Sequence, residues 1–111
     1  MSSFVNAVSK NVGNTPALLY TTPADSKSIL IGINISNLTG HTVPFDIYVT
    51  KGAVDYYLTK GHRVEAGDHI EIMKGNKMVL DNNDTISVKA SITSVQTEGV
   101  DVILSILSGV S

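Results

Sequence analysis

The stretch Ser28-Ile29-Leu30-Ile31-Gly32-Ile33-Asn34-Ile35-Ser36 decides the fold. Isoleucine recurs at every second position from 29 to 35, with Leu30, Gly32 and Asn34 in between and Ser36 after. A period of two belongs to a strand, whose successive side chains point to opposite faces. Branched side chains also pack well on a pleated surface. The spacing predicts a strand that turns its four isoleucines inward and leaves Leu30 on the other face.

The same alternation continues on both sides. After a turn at Asn37, Thr39 and Gly40, the residues Val43, Phe45, Ile47 and Val49 fall on one face, with Asp46, Tyr48 and Thr50 opposite. The two runs are expected to pair antiparallel. Tyr56 and Leu58 then alternate with Asp55, Tyr57 and Thr59, and since neighbours on a strand point to opposite faces, only one of the two tyrosines is expected to enter the core. Gly67 and Asp68 form a turn in which glycine can take a positive φ and aspartate can bond the nearby backbone. Ile70 and Ile72, then Met78 to Leu80, mark two short strands. Ile86, Val88, Ala90 and Ile92 mark the next, and Val100, Val102, Leu104 and Ile106 the last. Upstream, 16–23 is a strand bounded by Pro16 and Pro23, which cannot donate to a ladder. The chain is therefore expected to be all-β, an antiparallel β-sandwich of jelly-roll-like order with about eight to nine strands. Residues 1–15 are expected to be an N-terminal arm or edge strand, and 16–111 the sandwich domain.

Composition narrows the function. The 111 residues include no cysteine, which excludes disulfides, thiolate metal sites and a cysteine nucleophile. Charged residues make up 16%, below the roughly 25% of an average soluble domain, so the surface is short of charge. A net charge of −2 with scattered basic residues offers no footprint for nucleic acid. No run approaches the roughly 20 apolar residues of a membrane helix, and the amino terminus lacks the pattern of a secretory signal. Neither a nucleic-acid nor a membrane partner is expected, and synthesis is expected in the cytoplasm.

Chemistry is equally sparse. His62, Glu65, Asp68, His69 and Glu71 cluster in sequence, but no His-x-His pair exists and the strand face shared by His69 and Glu71 is opposite Ile70 and Ile72. They read as solvated turn and strand residues. No serine sits in a Gly-x-Ser-x-Gly elbow, and the glycines are dispersed among turns rather than gathered into a phosphate loop. No catalytic residue, metal site or cofactor is expected. The sequons at Asn34, Asn37 and Asn83 are read as chance in a protein of strands and turns. By contrast, apolar or aromatic residues intrude on the face opposite the inward rows: Leu30, Tyr48, Ile103 and Leu107, joined by whichever tyrosine of the Tyr56–Tyr57 pair stays outside. Leu30, Tyr48, Tyr57, Ile103 and Leu107 are therefore the expected protein-contact residues, and the chain is expected to form a homo-oligomer or an assembly.

The order of short motifs adds a resemblance. Leu19-Tyr20-Thr21-Thr22-Pro23-Ala24-Asp25 leads into the isoleucine strand, followed by Asp55-Tyr56-Tyr57-Leu58, Val64-Glu65-Ala66-Gly67-Asp68, Lys77-Met78-Val79-Leu80 and Asp84-Thr85-Ile86-Ser87-Val88-Lys89-Ala90. Over residues 16–107 this order resembles small β-sandwich virion proteins of tailed bacteriophages. The resemblance implies a non-enzymatic structural protein located in the virion, a capsid decoration or cement subunit or a neck or tail accessory, binding other virion proteins. It supplies no catalytic residues, and residues 1–15 fall outside it. The alternatives are a carbohydrate-binding module of a receptor-recognition fibre, with glycan at Tyr48, Tyr56 or Tyr57, and a small metal-dependent enzyme of the cupin type using His69.

Overall fold

The structure is a computed structural model that describes residues 3–74, 77–91 and 99–110. Among these residues there are nine strands and no helix: β1 (Ser3–Val12), β2 (Ala17–Thr21), β3 (Lys27–Asn37), β4 (Val43–Lys51), β5 (Val54–Val64), β6 (His69–Glu71), β7 (Met78–Leu80), β8 (Thr85–Ala90) and β9 (Val100–Val110). They form two antiparallel sheets. The first has the order β1-β9-β3-β6, with β7 also paired to β3, and the second has the order β2-β8-β4-β5.

The pairing is nested. β4 pairs β5, β3 pairs β6 and β7, β2 pairs β8, and β1 pairs β9. A long hairpin folded over on itself gives this arrangement, and it is the eight-stranded jelly roll with one strand broken into β6 and β7. β3 and β4 lie in opposite sheets, so the antiparallel pair expected of them does not form. Alternation buries one face of each run in either case, and it is the connection between them that crosses the sandwich.

Asn37 holds that crossing. Its side-chain amide donates to the carbonyls of His41 (2.6 Å) and Val64 (2.9 Å), and its Oδ1 accepts from the Thr39 amide and hydroxyl. Its backbone amide donates to Asp68 O and its carbonyl accepts from Gly67 N, where Gly67 has a φ of +73°. Asn37 is fully buried with these groups paired, as a polar side chain in a core must be. The loops on either side are tied to one residue.

The core lies between the sheets. Ile33, Ile35, Val102, Leu104 and Ile106 of the first sheet meet Phe45, Ile47, Ile86 and Val88 of the second, all fully buried. Tyr20 spans the two layers, accepting from or donating to Ser28 Oγ at 2.8 Å and donating to Ser108 Oγ at 3.1 Å. Ser28 can thus occupy an inward position.

One expectation for β3 fails at its first half. In the β3–β9 ladder Leu30 faces Ile106 and Gly32 faces Ser105, so Ile31 has no partner. This β-bulge adds one residue and reverses the alternation. Ser28 and Leu30 point inward before it, and Ile33, Ile35 and Asn37 after it. Leu30 is therefore a core residue with 0% exposure, not a surface contact, while Ile29 and Ile31 are only half-buried. The bulge has its own support: Glu71 Oε1 accepts from Ile33 N at 3.3 Å, and a Cβ on Gly32 would lie 2.7 Å from that oxygen. Glycine leaves room for the carboxylate that satisfies the amide.

Candidate interaction surfaces

On the outer face of the first sheet, strand register assembles a continuous apolar row. Phe4 of β1 faces Leu107 of β9, Leu107 faces Ile29 of β3, and Ile29 faces Val79 of β7. Directly opposed residues in an antiparallel ladder share a face, with Cβ atoms about 4.5–5.5 Å apart. Phe4 is 79% exposed and Val79 57%, with Leu107 and Ile29 half-buried between them. A second row pairs Val8, 69% exposed, with Ile103, 47% exposed, and continues to Asn34. The two rows are separated by Asn6, Ser105 and Gly32. At Val8 and Ile103 the surface forms an open groove flanked by Lys10 and Asp101.

The outer face of the second sheet is built differently. Leu18, Ser87, Tyr48 and Tyr57 make one row across it. The rings of Tyr48 and Tyr57 lie 5.2 Å apart at 45°, and Lys60 Nζ sits 4.7 Å over the Tyr57 ring. Burial, reinforced by the Asp55 charge, holds the Tyr48 phenol above its ordinary pKa. The neighbouring rows are polar: Thr50 donates to Asp55 at 2.7 Å, and Asp46 faces Lys89. Neither Tyr56 nor Tyr57 enters the core, contrary to the alternation argument, because β5 is the edge strand and both side chains remain exposed.

The expected contact residues thus divide. Ile103 and Leu107 lie on the outer face of the first sheet, Tyr48 and Tyr57 on that of the second, and Leu30 in the core, so they do not form one site. Phe4, Val8, Ile29 and Val79, which complete the first-sheet surface, were not among them. Phe4 and Val8 are four apart, hence on one face of any strand, and that spacing was the available signal.

The polar clusters serve the scaffold. Lys51 donates to Asp84, which is nearly buried, and to Asp81 at 3.2 Å, while Lys27 lies 3.5 Å from Asp81. Asp84 also accepts from the Asp81 amide at 2.9 Å, closing the turn before β8. The hydrogen bond to Asp84 holds Lys51 above its ordinary pKa, and the hydrogen bond from Lys51 holds Asp81 below its own. The histidine-rich segment is dispersed: His62 packs edge-on against Phe45 at 5.4 Å, Glu65 accepts from Thr42, Glu71 caps Ile33, and His69 is exposed. Among the described residues no three His, Asp or Glu side chains converge as a metal ion requires.

No protein-family model matches the chain. No curated protein sequence matches it either. The resemblances are structural. The chain superposes over its whole length on 88% of a protein described under "Bacillus endospore appendages form a novel family of disulfide-linked pili", with a TM-score of 0.59 and 12% identity. It also aligns with 38% of a chain from infectious bursal disease virus, Gt strain, with a TM-score of 0.43 and 10% identity. At such identities the likeness to the appendage protein shows a shared fold.

Proposed function

We propose that this chain is a non-enzymatic structural subunit of a virus particle, a bacteriophage capsid decoration or a neck or tail accessory, that works through protein–protein contacts. The observation that carries the reading is the outer face of the first sheet, where Phe4, Leu107, Ile29 and Val79 form one apolar row and Val8 and Ile103 begin a second. A sheet face that exposes large apolar side chains in register suits burial against another protein. The motif order over residues 16–107 supports placing that protein in a phage particle. The appendage protein of similar fold is described as part of disulfide-linked pili. This chain has no cysteine, so disulfides of that kind cannot link its copies.

A sugar-binding use of the tyrosines has weaker support. Tyr48 and Tyr57 meet at a 45° tilt rather than as a flat platform, and Lys60 covers one face of Tyr57. Quantitative mass spectrometry of purified particles from the virus encoding this chain tests the proposal. Multiple copies per particle are expected, with hundreds indicating the shell and a few to a dozen the neck or tail. Absence from particles would sink it.

A further inference from the structure

Two sheets have four edges, and an edge strand is a template for pairing unless something blocks it. Three of the four edges here are blocked. β2 is five residues long, lies between Pro16 and Pro23, and has an irregular register. β5 has two register shifts, Gly61 at a φ of +69°, and Lys60 and Arg63 along it. The far edge of the first sheet consists of β6 and β7, three residues each. β1 differs from all of these. It is ten residues long, regular from Ser3 to Ser9, free of proline, and its one charged residue is Lys10. Among the described residues it pairs only with β9.

We propose that β1 pairs edge to edge with β1 of a second copy of this chain, antiparallel about a two-fold axis at Asn6. Phe4 then faces Val8 of the other copy, Val5 faces Ala7, and Asn6 faces Asn6. Opposed residues share a face, so the highly exposed Phe4 and Val8 form two apolar pairs flanking a polar one on the outer face. Val5 and Ala7 match on the inner face. Every pair joins positions of the same parity, so the ladder closes whichever set of amides points to the free edge.

Other registers fit worse. A centre at Val5 puts Phe4 opposite Asn6, a centre at Ala7 puts it opposite Lys10, and a centre at Val8 carries it to Val12, beyond the irregularity after Ser9. Lys10 lies outside the matched span, so no like charges oppose. The occupant is a second copy because the strand is complementary to itself in this register, and a two-fold contact is the commonest in homo-oligomers. The apolar rows of the two first sheets would then run on into each other.

The pairing is independent of the particle assignment: absence from particles leaves it standing, and a monomeric chain leaves that assignment standing. A two-strand seam is small beside the ~1,600 Å² of a standard interface, so association should depend on concentration. Because the chain has no cysteine, Asn6→Cys places one exposed thiol on the axis, where opposed Cα atoms about 4.5–5.5 Å apart permit a disulfide. Under mild oxidation Asn6→Cys should form a covalent dimer at least tenfold faster than Val8→Cys or Leu18→Cys, which are exposed but do not face themselves. In sedimentation equilibrium Asn6→Lys and Asn6→Asp should each be monomeric, and their mixture should restore the dimer. Equal cross-linking rates for the three thiols, or a wild-type chain that stays monomeric up to millimolar concentration, would overturn the proposal.

Discussion

Leu30→Ala and Ile29→Ala alter neighbouring positions of β3, and the bulge gives them opposite fates. Leu30 has no exposed surface, and alanine there removes three carbons from a closed core. At about 0.8 kcal/mol per buried methylene the transfer loss alone is about 2.4 kcal/mol. Leu→Ala substitutions in cores cost about 2–5 kcal/mol once the cavity is included, so about 3 kcal/mol is expected. Ile29 is half-buried on the outer face, and the same reasoning gives about 1 kcal/mol. For a domain of this size each kcal/mol moves the melting temperature by about 4 °C. Leu30→Ala should therefore melt about 12 °C below the wild type and Ile29→Ala about 4 °C below it. Thermal and urea unfolding followed by circular dichroism at one dilute protein concentration measure the melting temperatures and the free energies, since association would add to apparent stability. If Ile29→Ala cost as much as Leu30→Ala or more, the simple alternation of isoleucines would be correct and the bulge wrong.

The polar supports are testable in the same way. Asn37→Ala leaves the buried Val64 carbonyl without its donor and the buried Thr39 amide without its acceptor, and is expected to cost about 2–4 kcal/mol, read by urea unfolding. Gly32→Ala should displace the Glu71 carboxylate from Ile33 N at a cost of about 1 kcal/mol. Glu71→Ala should cost a similar amount, and the double variant little more than either alone; simple additivity in the mutant cycle would separate the two residues. For the Lys51 network the signs are set by the two shifts. Asp81 is held below its ordinary value of 3.8, so its contribution is complete above that pH and lost as pH falls through the lowered value. Lys51 is held above 10.5, so its contribution is complete below that pH and lost as pH rises through the raised value. Melting curves across pH should show an acid-side slope that diminishes in Asp81→Asn, and an unchanged slope would refute the role given to Asp81.

Much of the fold was legible because period two is a local signal. Val43, Phe45, Ile47 and Val49 read as one buried row and are one, as are Val100, Val102, Leu104 and Ile106. Alternation does not say which sheet a strand joins, so β3 and β4 looked like a hairpin although they face each other across the core. It also carries no mark of an extra residue, and Ile31 therefore misassigned Leu30. Asn37 looked like any turn residue, because a buried asparagine with every partner in place has the same local sequence as an exposed one. Alternation put one of Tyr56 and Tyr57 inside, yet on the edge strand both are exposed, while Leu30, expected on a surface, is buried. The outer-face rows needed register between distant strands: nothing near Phe4 indicates that Leu107, Ile29 and Val79 lie in line with it.

The role assigned to the outer face of the first sheet is tested most directly by competition during assembly. Ile103→Asp introduces a charge into the exposed Val8–Ile103 row, and Lys89→Asp changes the outer face of the second sheet. Each variant would be co-expressed with an equal amount of wild type during infection, and the ratio in purified particles measured by mass spectrometry. Wild type should be enriched several-fold over Ile103→Asp and incorporated equally with Lys89→Asp. Equal incorporation of Ile103→Asp and wild type would contradict the account.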